Sequence, residues 1–265
     1  MKDLMKSTFS QIKKRKGLMI GIFFVQVILF LSIFVSGLTF QVLGINEARS
    51  IIEPLQNSEI SPDNLEAADE LAKSFDSISQ SYKAMWKYMR YSIYIPFILF
   101  IILNGIVWMM TFGLRRKVNI KENVNRWLRF AGINLIVFLP YFLFADWYIS
   151  SIFTADVDVN NFIRNLWIIG YLSLPLYYIA VSGFGLIDKS WKEMCKIFYQ
   201  KAIKKIYITL PVAAVLHGLI AGTGYLLFLT LDTEVPNLFY VFSTGTLFFT
   251  IILIIRLIWI NYILD

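Results

Sequence analysis

Of the chain's 265 residues, 57% are hydrophobic and only 16% are charged, against roughly 45–50% and 25% in a soluble domain. A soluble fold of this length has no means of hiding that much apolar surface, so composition excludes an ordinary globular domain and points to a membrane bundle. The net charge of +7 comes from short basic runs beside apolar segments. It reads as a topology signal and not as a nucleic-acid footprint, so no nucleic-acid partner is expected.

The first 16 residues form a basic segment that ends in Lys13, Lys14, Arg15 and Lys16, with a weak amphipathic pattern through Met5, Phe9 and Ile12. The apolar run that follows, 17–43, far exceeds the roughly 7–15 residues of a cleavable signal. It is expected to stay as an anchor. Five more segments are long enough to span a bilayer of about 30 Å: 92–113, 127–150, 162–187, 206–229 and 238–260. The expected fold class is therefore all-α, a polytopic integral membrane protein built as a six-transmembrane-helix bundle over 17–265.

Lys and Arg divide unevenly between the two sides of these spans, nineteen on the side of the N-terminus against six on the other. Acidic residues show the reverse bias, with eight from Glu47 to Asp76. The positive-inside rule then predicts a multi-pass protein of the cell membrane with both termini cytoplasmic.

Between spans one and two lies the one sizeable non-membrane stretch, about 45–90, divided by the turn-like QNSEISPDN. Ser61 is placed to cap a helix with Pro62 at its first position and Asp63 in its first turn. Beyond it, Leu65, Ala68, Ala72, Phe75, Tyr82, Trp86 and Met89 recur at a spacing of three and four, which predicts a helix running into the second span. Ile51, Ile52 and Leu55 extend the first span outward. The pair reads as an external helical hairpin, either an intramolecular packing unit or a surface for a protein partner.

A second non-membrane element is expected at about 188–205. Met194, Cys195, Phe198, Tyr199, Ala202 and Ile203 fall on one helical face, while Lys189, Lys192, Lys196, Gln200, Lys201 and Lys204 fall on the other. This predicts an amphipathic cytoplasmic helix at the membrane interface, whose lysines favour anionic lipid head groups.

Polar residues inside a span are costly and often functional. Gln26, Asn104, Asn134 and His217 all fall about 10–16 Å from the cytoplasmic ends of their spans at 1.5 Å per residue. Four helices thus contribute to one polar layer, read either as a solvated site or as inter-helix hydrogen bonding. Asp146 is expected to reach water or Arg164 near the outer edge, and Arg256 to snorkel to the cytoplasmic surface. Pro96, Pro140, Pro175 and Pro211 lie within spans and favour kinks. Gly218 and Gly222, with Ala214, and Gly183 with Gly185, form small-residue patches expected to admit close helix packing.

AVSGFG around Ser182 and LHGLIAGTG around His217 bear comparison with the Ser–His dyad of rhomboid-type intramembrane proteases. Ala180 stands where that motif has a leading glycine, and the two residues differ in depth, about 8 Å against about 16 Å. The chain is not assigned to that family, and no catalytic dyad is expected. One histidine and one cysteine provide no nitrogen or sulfur metal cluster and no intrachain disulfide. HExxH and phosphate-cradling loops are absent from the sequence, so no cofactor is expected.

The leading functional expectation is a non-enzymatic scaffold or accessory subunit that contacts lipids or protein partners. The alternative is a permease, or permease subunit, for a small or lipophilic solute that uses the polar layer. A membrane-embedded enzyme is the third reading.

Overall fold

A computed structural model describes residues 2–57, 65–115, 119–152, 159–232 and 237–264. Among them the regular structure is entirely helical: α1 (Lys2–Lys14), α2 (Lys16–Asn57), α3 (Leu65–Leu99), α4 (Gly105–Arg115), α5 (Ile120–Ile152), α6 (Val159–Phe184), α7 (Trp191–Phe198), α8 (Ile206–Leu231) and α9 (Leu238–Leu264). Two π-helical turns interrupt the series, Phe100–Asn104 between α3 and α4 and Tyr199–Ile203 after α7. Six stretches are long and apolar enough to cross a membrane, Lys16–Glu53, Phe75–Arg115, Ile120–Tyr148, Trp167–Phe184, Ile206–Leu231 and Leu238–Leu264. They coincide with the six segments expected from hydropathy. Their apolar side chains are widely exposed, as suits helices whose solvent is lipid.

The chain divides into two compact units, Ile28–Phe100 and the remainder, 1–27 with 101–265. In the first, α2 continues without a break to Asn57, so Ile51 and Ile52 extend the helix as their pattern predicts. The expected cap at Ser61 and Pro62 lies outside the described residues. The Phe40 ring meets Tyr91 edge-on at 5.5 Å, and the face of Gly44 lies against Tyr88 and Met85. Contacts that advance along α2 as they retreat along α3 mean that the two helices run antiparallel.

In the second unit, Ile22 of α2, Val107 and Leu114 of α4, and Leu253 and Leu257 of α9 form a buried apolar cluster. The C-terminal half of α9 is the most enclosed part of the chain, with Leu257, Ile260 and Ile263 fully buried. α1 docks there through Asn261, whose Nδ2 donates to Thr8 Oγ1 at 3.1 Å, both residues being buried. Arg15 donates to the carbonyl of Gly113 near the end of α4, where helix carbonyls lack intrahelical partners.

The turn between α6 and α7 is fixed from several sides. Trp259 Nε1 donates to Val181 O at 2.9 Å, and Arg129 Nη1 donates to Ile187 O at 3.0 Å. A methyl added to Gly185 would come within 2.6 Å of Ile263, so only glycine admits α9 this closely. Ser190 then opens α7 with a reciprocal capping box to Glu193, which satisfies two otherwise unpaired amides.

One expectation about packing is corrected. Gly183 and Gly185 do lie in tight contacts, but at Gly218 and Gly222 an added methyl meets nothing within 4 Å. That α8 face is open among the described residues. Along 188–205, Met194 and Ala202 are buried while Cys195, Tyr199 and Ile203 are exposed, and Tyr199–Ile203 forms a π turn.

Candidate functional site

The polar residues of greatest interest gather around Arg256, eight residues before the end of α9 and thus about 12 Å inside the span at helical rise. Arg256 does not snorkel outward. Its Nη2 donates to Asn104 Oδ1 at 3.2 Å, and its guanidinium carbon lies 5.1 Å from the centre of the Trp108 ring. The reason is local: Asn104 ends the π turn and Trp108 lies one helical turn further on, so one side of α4 offers both an acceptor and an aromatic face.

Close packing around the π turn supports this side of α4. Gly105 allows Trp127 of α5 to approach so closely that an added methyl would stand 2.7 Å from its ring. Trp127 Nε1 in turn donates to Ile102 O at 3.4 Å, meeting a carbonyl of the turn where the regular helical ladder is interrupted. Trp108 also packs on Phe184 of α6, and Phe184 on Phe130 of α5.

His217 of α8 approaches the same region from the other side. Its ring stands edge-on to Tyr177 of α6 at 5.1 Å and to Trp259 of α9 at 6.5 Å. His217 Nδ1 lies 2.7 Å from Ala213 O. A carbonyl only accepts, so Nδ1 carries a proton and donates it to this carbonyl.

Of the four residues expected in one layer, the structure thus brings Asn104 to Arg256 and His217 to Tyr177. Gln26 is buried and neither atom of its amide is hydrogen-bonded. Asn134 is buried too, with Nδ2 donating to Phe130 O four residues earlier in its own helix and Oδ1 unpaired. Neither bonds another member of the layer. Arg256 Nη1 is also buried without an acceptor. Asp146 is half-buried on α5 and Arg164 is exposed on α6.

Ser182 is fully buried with its Oγ not hydrogen-bonded to His217, so the described residues hold no Ser–His dyad. Nor do they hold a cluster of His, Cys, Asp and Glu suited to a metal ion. No protein-family model, curated protein or solved structure matches the chain. Its chemistry must be read from its own residues.

Sequence reasoning missed a second inward-facing cation. Arg126, only 1% exposed, donates through Nε to Asp188 Oδ1 at 2.8 Å, with Nη2 on the same oxygen. It also covers the Phe112 ring at 5.3 Å. The sequence counts Arg126 among basic residues that set topology, and only its helical spacing of three from Arg129 hinted at a shared inward face. These two arginines differ in kind. Arg126 has a carboxylate, whereas Arg256 is held by a neutral amide and an aromatic face.

Proposed function

We propose that the chain is a permease, or the membrane subunit of one, for a small amphipathic solute whose anionic group pairs with Arg256. The observation that carries this reading is the buried Arg256 Nη1 with no acceptor, on a guanidinium held by the neutral amide of Asn104 and the ring of Trp108. A charge inside a span is expensive, by about 2.5–3.5 kcal/mol at a helix centre on insertion scales. A static bundle relieves that cost with a carboxylate, as at Arg126. An anion that arrives and leaves relieves it only while bound, as transport requires.

The unpaired amide of Gln26 and the unpaired Oδ1 of Asn134 point the same way, because a packed scaffold would bond them to neighbouring helices. On this reading the basic end faces the cytoplasm, the hairpin of α2 and α3 projects outside, and the protein resides in the cell membrane.

A specific observation favours the scaffold reading as a second possibility. Ile52 and Phe75 are exposed on the hairpin arms, among the acidic and basic residues of 45–90, where a partner protein would cover them. Thiol labelling separates the two. Single cysteines at Gln26, Asn104, Asn134 and His217, on a Cys195→Ser background, are treated with a small membrane-impermeant thiosulfonate from each side. The permease reading expects modification at Asn104 and His217 at least. Protection of all four from both sides overturns it in favour of the scaffold.

A further inference from the structure

The basic end carries a concavity that the arginine cluster does not use. It has a volume of about 350 Å³ and is lined by Gln200, Lys201, Lys204, Lys205 and Tyr207. Three of these five are cationic, and none is acidic. We propose that it is a binding site for the phosphate group of an anionic membrane lipid.

The lysines converge because the backbone there is not a plain helix. Tyr199–Ile203 forms a π turn, Lys204 and Lys205 make the step out of it, and α8 begins at Ile206. On a continuous α-helix, Lys201, Lys204 and Lys205 would share a face of the rod; here the widened turn and the bend form a hollow between them. Its carbonyls do not cancel the positive field, because two are bonded inward. Tyr178 donates to Ala202 O at 2.8 Å and Thr209 to Lys201 O at 2.7 Å.

The start of α8 adds to the field. Lys205 is its N-cap and provides no side-chain hydrogen bond, and its carbonyl already takes the Ile208 and Thr209 amides, so the amides of Ile206 and Tyr207, at the positive end of the dipole of a 26-residue helix, are the first-turn donors left for the lysine side. Lysine ammonium groups and first-turn amides together suit a compact, multiply accepting anion such as phosphate.

The surroundings select the lipid-bound form of that anion. Tyr199, Ile203, Ile206 and Tyr207 are all exposed beside the hollow, at the start of a stretch apolar enough to cross a membrane. Acyl chains attached to a phosphate in the hollow would lie along these side chains. A soluble phosphate compound would leave them uncovered.

The test uses the full chain in detergent with defined lipid added, bound lipid being counted by native mass spectrometry. Phosphatidylglycerol is the anionic probe, phosphatidylcholine the zwitterionic one, and glycerol 3-phosphate the soluble one. The wild-type chain is expected to retain phosphatidylglycerol over phosphatidylcholine, with glycerol 3-phosphate a poor competitor. The triple variant Lys201→Gln, Lys204→Gln, Lys205→Gln should lose roughly tenfold or more in phosphatidylglycerol retention. The charge-matched variant Lys121→Gln, Lys192→Gln, Lys196→Gln, altered at exposed lysines outside the hollow, should lose far less. Equal losses in the two triple variants would mean diffuse electrostatics and overturn the site. Equal competition by glycerol 3-phosphate would overturn the lipid assignment.

Discussion

Replacing Arg256 by Met asks whether this cation holds the bundle together or waits for an anion. In the wild-type chain it gains one charged hydrogen bond to Asn104, at a long 3.2 Å, and a cation–π contact with Trp108 at 5.1 Å. Those are worth about 1.5–3 kcal/mol and about 2 kcal/mol when desolvated. Against them stand the cost of a charge inside a span, about 2.5–3.5 kcal/mol, and an unpaired buried nitrogen, about 1–3 kcal/mol. The opposing sums are equal within their spread, and a methionine side chain retains packing against the indole. Arg256→Met should therefore change folding stability by no more than about 1 kcal/mol, which balances the lost contacts against the relieved charge. Adding Asn104→Leu, which removes the amide left without its donor, should then raise stability by about 1–3 kcal/mol over the single variant. Reversible unfolding by sodium dodecyl sulfate in mixed micelles, followed by tryptophan fluorescence, reads both numbers, with Trp108 and Trp259 as local reporters. A loss above about 3 kcal/mol for Arg256→Met, the size expected on breaking a structural charged pair, would refute the reasoning and take the permease proposal with it.

Arg126 should behave in the opposite way. Asp188→Ala leaves a guanidinium that is 2% exposed without its carboxylate, and should cost about 3 kcal/mol, the lower end of the range for a broken buried pair because Asp188 keeps some contact with water. Combining it with Arg126→Met should recover part of that loss in the same titration, and a fully additive double variant would show that the pair is not coupled. Gly105→Ala places a methyl 2.7 Å from the Trp127 ring and should destabilise by about 1–3 kcal/mol. Gly222→Ala, which meets open space, should be neutral or stabilise by up to about 1 kcal/mol from helix propensity; a loss at Gly222 would reveal a close helix neighbour on that face.

The six helices long and apolar enough to cross a membrane were legible because a bilayer imposes one strong rule, about 20 apolar residues per crossing, and hydropathy alone reads it. The long extensions of α2 and α3 were legible for a related reason: Ile51 and Ile52, and Leu65 through Met89, keep helical spacing beyond the apolar run. What hydropathy does not encode is where a helix changes pitch. Both π turns lie in sequence that scores as ordinary helix, and they determine where Asn104 points and how Lys201, Lys204 and Lys205 are grouped.

The site divided along a different line. Burial of Gln26, Asn104 and Asn134 follows from polarity and depth, both of which a sequence supplies. The destination of Arg256 does not, because near a helix end the same side chain has two outlets, water along the helix or an acceptor across it. Depth favours the first. Asn104 and Trp108, more than 140 residues earlier in the chain, decide for the second, and nothing local to Arg256 announces them. The same holds for Arg126, whose carboxylate arrives from the turn after α6. A long-range partner converts one arginine into a neutralised structural pair and leaves the other a half-buried cation with no carboxylate among the described residues, and that difference, invisible in the two local sequences, is what makes Arg256 the residue on which function is argued.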